Sequence, residues 1–246
     1  MQLQRLLSLV RQAVDTYDMI QDGDHIAIGI SGGKDSLTLL YALHGLQKFY
    51  PRKFSLSAIT VDMGIDTMNL EPIRKLCEDF GIPYSVVSTQ ILFDIRKESN
   101  PCSLCAKMRK GALNDEALRL GCNKIAYAHH QDDLIETAMM SLIYEGRFYA
   151  FPPVTHLEKT NLTVIRPLML VKEGDIRGFR NLMQLPVCKN PCPADGHTRR
   201  EYVKQLLIGI DHENRGAKKR IFHAIVNGNI PDWTSTQKKD DEESQK

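Results

Sequence analysis

The sequence predicts an α/β fold, a parallel sheet with helices on both faces and a short helical C-terminal extension. Short apolar, β-branched runs alternate with longer segments of helical periodicity, the pattern of strands joined by crossover helices. A small, glycine-containing turn links the first such run directly to a helix. After Phe151 the alternation gives way to a proline-rich stretch and a more polar, basic region.

The N-terminal segment has apolar residues at helical spacing, interrupted by Arg5, Arg11, Gln12 and Asp15. It lacks the apolar core of a signal peptide, and no run of about 18 apolar residues suggests a membrane span. The chain therefore reads as cytoplasmic. Residues 22–30, 54–62 and 83–89 read as buried strands, with helices between them from Leu37 and Leu70. A helix over about 103–120, a strand over 124–130 and a helix over about 132–144 follow. The polar stretch 156–164 resembles a hairpin, and 172–185 suggests another helix. Three parts are expected: a nucleotide-binding unit over 1–168, a helical segment over 169–234 and a disordered charged tail over 235–246.

Composition restricts the function only loosely. Lys plus Arg number 32 against 30 acidic residues, so a nucleic-acid surface would have to come from local clustering. Six cysteines in a chain read as cytoplasmic argue for metal or redox chemistry rather than a disulfide framework.

Ser31, Gly32, Gly33, Lys34, Asp35 and Ser36 stand between a strand and a helix, where backbone amides and the helix dipole converge on an anion. The spacing is that of neither a Walker A loop nor a dinucleotide fingerprint. Asp62 and Met63 end the second strand, at the sheet edge where open α/β folds bind ligands. Ala128, His129, His130, Gln131, Asp132 and Asp133 end a later strand and open a helix, whose dipole favours the two carboxylates whether or not they do chemistry.

Cys102 and Cys105 form a C-x-x-C pair at a helix start, a pattern shared by redox pairs, half zinc sites and iron–sulfur ligands. Cys77 and Cys122 read as structural. Of the other two, Cys192 in a proline-bracketed loop is the better third thiol, and Cys188 follows an apolar stretch. Zinc held by Cys102, Cys105, Cys192 and His197 is the alternative. Three basic groups, Lys107/Arg109/Lys110, Arg199/Arg200/Lys204 and Arg215/Lys218/Lys219/Arg220, are candidate RNA contacts, with Tyr202 and Phe222 as candidate stacking residues. Basic residues on helix faces are more often plain solvated surface.

The segment SGGKDS resembles the PP-loop of ATP pyrophosphatases, a Rossmann-like fold of the HUP type, and AHHQDD resembles that family's Gly-His-x-x-Asp-Asp segment with Ala128 in place of glycine. The order SGGKDS, PCSLCAKMRKGAL, AHHQDD, FPP, IRPL and PVCKNPC is similar to the tRNA 2-thiocytidine synthetase group of that family. The resemblance implies ATP and Mg2+ at Ser31–Ser36, with Lys34, Asp35, Asp132 and Asp133 serving catalysis and Asp62, Met63 and Ala128 beside the nucleotide. It implies a 4Fe-4S cluster on Cys102, Cys105 and Cys192 with one iron open to sulfide. The expected reaction is adenylation of a tRNA base, cytidine 32, followed by sulfur insertion. Sulfur would come from a cysteine desulfurase system or sulfide. A 2-thiouridine enzyme, a small-molecule amide ligase of the same family and a cluster-bearing sensor are the competing readings, and a homodimer is compatible with the sequence although no feature shows it.

Overall fold

The computed structural model describes residues 1–64, 69–95, 101–188 and 198–228. Helix α1 (Leu3–Thr16) precedes strand β1 (Asp24–Gly29), helix α2 (Lys34–Gln47), strand β2 (Phe54–Asp62), helix α3 (Glu71–Asp79) and strand β3 (Tyr84–Ser88). Then come the single turn α4 (Ile91–Asp94), α5 (Pro101–Arg119), β4 (Lys124–Ala126), α6 (Gln131–Glu145), the pair β5 (Val154–Leu157) and β6 (Leu162–Ile165), and helices α7 (Glu173–Met183), α8 (Arg199–Glu213) and α9 (Ala217–Asn227). Among the described residues no helix is long and apolar enough to cross a membrane.

The sheet order is β3-β2-β1-β4-β6-β5, parallel except for β5, which runs antiparallel to β6. Successive strand residues face opposite layers. Ile26, Ile28, Ala58 and Ala126 join the larger core beneath α1, α2, α6 and α7, while Ala27, Ile59 and Ile125 join a smaller one beneath Leu113 and Ala117 of α5. Burial on both faces explains why the strands read as near-continuous apolar runs rather than alternating ones.

The expected strand 54–62 has the observed limits, and most other elements differ from expectation by one or two residues. Two differences bear on function. The strand expected over 124–130 stops at Ala126, because the next residues leave the ladder to line a cavity. The hairpin expected over 156–164 supplies the last two strands of the main sheet, with β6 beside β4. Val203, Leu207 and Ile225 of α8 and α9 are buried in the larger core. The expected tail over 235–246 lies outside the described residues.

Strand β1 connects outward to β2 on one side, and β4 lies parallel against its other side, so the order in which strands are added to the sheet reverses between them. In open α/β sheets the crevice beyond the carboxyl ends of such strands is where ligands bind.

Candidate nucleotide and cluster site

The residues beyond β1 form a tight anion cradle. Gly32 has φ of +77°, a conformation glycine adopts without Cβ strain. Ser36, almost fully buried, ties the loop together: its hydroxyl accepts from the Ser31 amide at 3.2 Å and donates to the Gly33 carbonyl at 3.0 Å. Gly33 is the N-cap of α2 and has no side chain to satisfy the first-turn amides. Those donors and the helix dipole are thus directed toward an incoming anion.

A cavity of about 370 Å³ opens beside this loop, at the switch point. Ser31, Asp35 and Ser36 form one wall, Tyr127, Ala128, His129 and Asp133 another, and Ala106, Arg109 and Lys110 of α5 a third. Asp35 Oδ1 is buried there without a hydrogen-bond partner, 3.8 Å from His130 Nε2. A solvent-excluded, unsatisfied carboxylate oxygen is costly, and a cation would satisfy it, so the site fits Mg2+.

The adjacent carboxylates Asp132 and Asp133 face different surroundings. Asp133 closes a capping box with His130: Oδ2 accepts from the His130 amide at 3.0 Å, and the Asp133 amide donates to His130 Nδ1 at 3.3 Å. Such a cap is worth about 1 kcal/mol and fixes Asp133 on the cavity wall. Asp132 is turned away. Its Oδ2 accepts from the Glu173 amide at 2.7 Å and its Oδ1 pairs with Lys218. Burial works against its charge, but those partners hold its carboxyl below the usual range. The structure therefore brings Lys34, Asp35 and Asp133 to the loop and leaves Asp132 in an internal network.

Glu173, which no sequence pattern singled out, joins that network to the loop. Its Oε1 lies 3.3 Å from Lys34 Nζ and 3.0 Å from Lys204 Nζ. Lys34 Nζ is also 3.1 Å from Asp35 Oδ2. Although burial pushes the Glu173 carboxyl up, the hydrogen bond from Lys204 and the charges of Lys34 and Lys204 bring it down to about 2.

The FPP and IRPL segments form the wall behind His129. The His129 ring lies 4.7 Å from that of Phe151, and the Arg166 guanidinium sits 5.1 Å above Phe151. Arg166 Nη1 donates to the Pro152 carbonyl and to Thr155 Oγ1, and burial lowers Arg166 to about 10, still a cation at neutral pH. Burial, reinforced by Arg166, presses His129 down to about 4. A neutral imidazole thus faces the cavity.

Asp62 and Met63 lie next to the cavity-lining Val61 but are not themselves among its walls. Asp62 Oδ1 accepts from the Gly64 amide, turning the chain at the end of β2. Met63 Sδ lies 3.8 Å from Cys105 Sγ.

Cys102 is exposed and Cys105 half-buried in the first turns of α5, whose later residues Arg109 and Lys110 reach the cavity. The two thiols, three residues apart at a helix N-terminus, share one face in a field that favours thiolates, a donor pair that fits an iron–sulfur cluster. Cys192 and His197 lie outside the described residues. Cys188 donates its amide to the Gly32 carbonyl at 2.9 Å and its thiol to the Asn69 carbonyl at 3.2 Å, so this residue docks on the phosphate loop. Cys77 and Cys122 are buried, which pushes both thiols up to about 11 and keeps them inert.

The basic groups separate as well. Arg109 and Lys110 line the cavity. Arg200 is committed to α6 instead, with Nη1 3.3 Å from Glu136 Oε2 and Nη2 3.3 Å from Thr137 Oγ1, and Lys204 is bound to Glu173. Tyr202 is exposed and Phe222 is packed against the core.

Comparison with known proteins agrees with this geometry. The chain matches the family model for the PP-loop domain over residues 4–209. It is 35% identical over 229 residues to the tRNA-cytidine(32) 2-sulfurtransferase of Geobacter sulfurreducens, covering 91% of this chain and 89% of that protein. With the enzyme of the same name from Geobacter metallireducens it shares 36% identity over 225 residues, covering 89% of this chain and 87% of that protein. Among solved structures, the U34-tRNA thiolase NcsA from Methanococcus maripaludis with its [4Fe-4S] cluster superposes with a TM-score of 0.74 at 27% identity, covering 90% of this chain and 76% of that one. The NH3-dependent NAD synthetase from Campylobacter jejuni, at 17% identity and a TM-score of 0.52, shares the fold. The anion cradle, the thiol pair and these matches lead to one assignment: the chain belongs to the PP-loop family and, within it, to the tRNA-cytidine(32) 2-sulfurtransferases.

Proposed function

We propose that this protein uses ATP to adenylate cytidine 32 of tRNA and then replaces the 2-oxygen with sulfur, giving 2-thiocytidine. One observation carries the reading: α5 begins with the Cys102/Cys105 pair and one turn later lines the same cavity as the phosphate loop. Nucleotide activation and sulfur delivery thereby share one helix.

In this reading the amides of Ser31–Ser36 receive the β- and γ-phosphates of ATP. Lys34, held between Asp35 and Glu173, offsets charge on departing pyrophosphate. Asp35 and Asp133 would hold Mg2+, which supplies charge neutralisation at the phosphates. Asp132 positions α6 through the Glu173 amide and Lys218. The cytidine oxygen attacks the α-phosphate, the bond to pyrophosphate breaks, and the base carries AMP. Incoming sulfur at the sulfide level forms a bond to C2 as the C2–O bond breaks and AMP departs. His129 stays neutral beside the base, and Tyr127 and Ala128 exclude water around it.

Cys102, Cys105 and Cys192 would hold the 4Fe-4S cluster, which when bound supplies an iron free of protein ligands to carry the sulfur. The sulfide would come from solution or from a cysteine desulfurase system, whose persulfide sulfur is first reduced by two electrons from an external thiol. With tRNA as substrate the protein works in the cytoplasm. Residues 1–168 serve the nucleotide and 169–234 bring the third thiol.

The test is mass spectrometry of tRNA nucleosides from a strain lacking the gene, its parent and a complemented strain. Loss and restoration of 2-thiocytidine is the expected result. Loss of 2-thiouridine instead would transfer the substrate to uridine, and persistence of both would refute tRNA thiolation.

A further inference from the structure

A second cavity of about 500 Å³ lies on the other side of the first turn of α6 from the nucleotide site. Among the described residues, six cations from four helices and one helix cap line it: Arg5, Lys172, Arg177, Lys204, Lys218 and Lys219. Residues this far apart in sequence converge only through the fold, which distinguishes the basin from one solvated helix face. Four carboxylates also line it, but three are engaged internally. Asp132 holds Lys218 and the Glu173 amide, Glu173 holds Lys34 and Lys204, and Asp211 Oδ1 accepts from the Lys218 amide at 2.9 Å. Arg5, Lys172, Arg177 and Lys219 make no ion pair with any described residue. Among the described residues Asp175 and Asp211 oppose these four charges, so the basin keeps an excess of positive charge.

Among the described residues no aromatic side chain lines this basin, whereas Tyr127 and His129 line the nucleotide cavity. This described lining offers no stacking surface for bases and suits a phosphate backbone. Asp132 in the basin and Asp133 in the nucleotide cavity are consecutive residues, so one RNA could occupy both. We infer that this basin binds the phosphodiester backbone of a paired tRNA stem while the loop enters the nucleotide cavity. The inference rests on the tRNA reading above. Contacts of this kind position the RNA without reading its sequence.

The test uses the full chain, a tRNA transcript and a KCl series. Wild type is compared with the double variant Arg177→Gln/Lys219→Gln, with Lys53→Gln at the opposite edge of the sheet as control. Each lost phosphate contact lowers the slope of log affinity against log salt by about 0.9, so the double variant should lose about 2 from its slope and weaken by more than about tenfold at low salt. Its ATP affinity and the control's slope should equal those of wild type. An unchanged slope in the double variant, with wild type binding tRNA normally, overturns the inference alone. Loss of pyrophosphate affinity with an unchanged tRNA slope makes the basin a small-anion site and also overturns it. A wild-type protein that binds ATP but no tRNA defeats the tRNA reading itself and this inference with it.

Discussion

Replacing Glu173 with Gln removes the charge that two lysines share without altering the size of the side chain. The carboxyl stands at about 2 instead of 4.5. At about 1.4 kcal/mol per pH unit, that displacement caps its contribution at about 3.5 kcal/mol. Lys34 and Lys204 keep 24% and 29% of their side-chain surface in water, which screens the pair, so about 2 kcal/mol is expected at pH 7. The folded-state value is depressed, so this stability is fully present above about 4.5 and is lost as pH falls toward 2. Urea unfolding of wild type and Glu173→Gln at pH 7 and pH 3 measures it. The gap should be about 2 kcal/mol at pH 7 and less than half that at pH 3. A gap below about 0.5 kcal/mol at pH 7, or one independent of pH, would refute the network as described.

Other outcomes follow from the same geometry. His129 is pressed down to about 4 from 6.5, so below pH 6.5 the unfolded chain takes a proton that the folded chain refuses. Stability should therefore fall as pH drops from 6.5 to 4, and His129→Phe should flatten that limb in thermal denaturation. Gly32→Ala forces a side chain into φ of +77°, so ATP affinity measured by calorimetry should fall by about tenfold, while Gly174→Ala, at an ordinary helical position, should leave it unchanged. Cys192→Ser should remove iron and acid-labile sulfide and abolish thiolation with ATP affinity retained, whereas Cys188→Ser, whose thiol already donates to Asn69, should keep the cluster. Thiolation by the Cys192 variant would eliminate it as a ligand.

The phosphate loop was legible because its signal is local: six consecutive residues between a strand and a helix need no distant partner to be recognised. Cys77 and Cys122, read as structural from an amphipathic helix and a turn, are both buried. Asp132 and Asp133 show where local reading ends. Each helical residue turns the side chain by about 100°, so consecutive carboxylates face different neighbours, and those of Asp132 come from α7 and α9. Glu173 was invisible for that reason, being one acidic residue at a helix start until the fold brings Lys34 and Lys204 to it. The early end of β4 has a similar cause. Tyr127 to His130 are apolar enough to read as strand, but they leave the ladder to form cavity wall and helix cap.

The first turn of α6 also governs how the gene can change in length. One inserted or deleted residue between His130 and Asp133 would rotate everything beyond it by about 100°, exchanging the groups shown to nucleotide and basin and breaking the cap in the same event. The turn between β5 and β6, joining an edge hairpin, has no such phase to keep. Variation in length among descendants of this chain should therefore gather at that hairpin and be absent from the four residues that open α6.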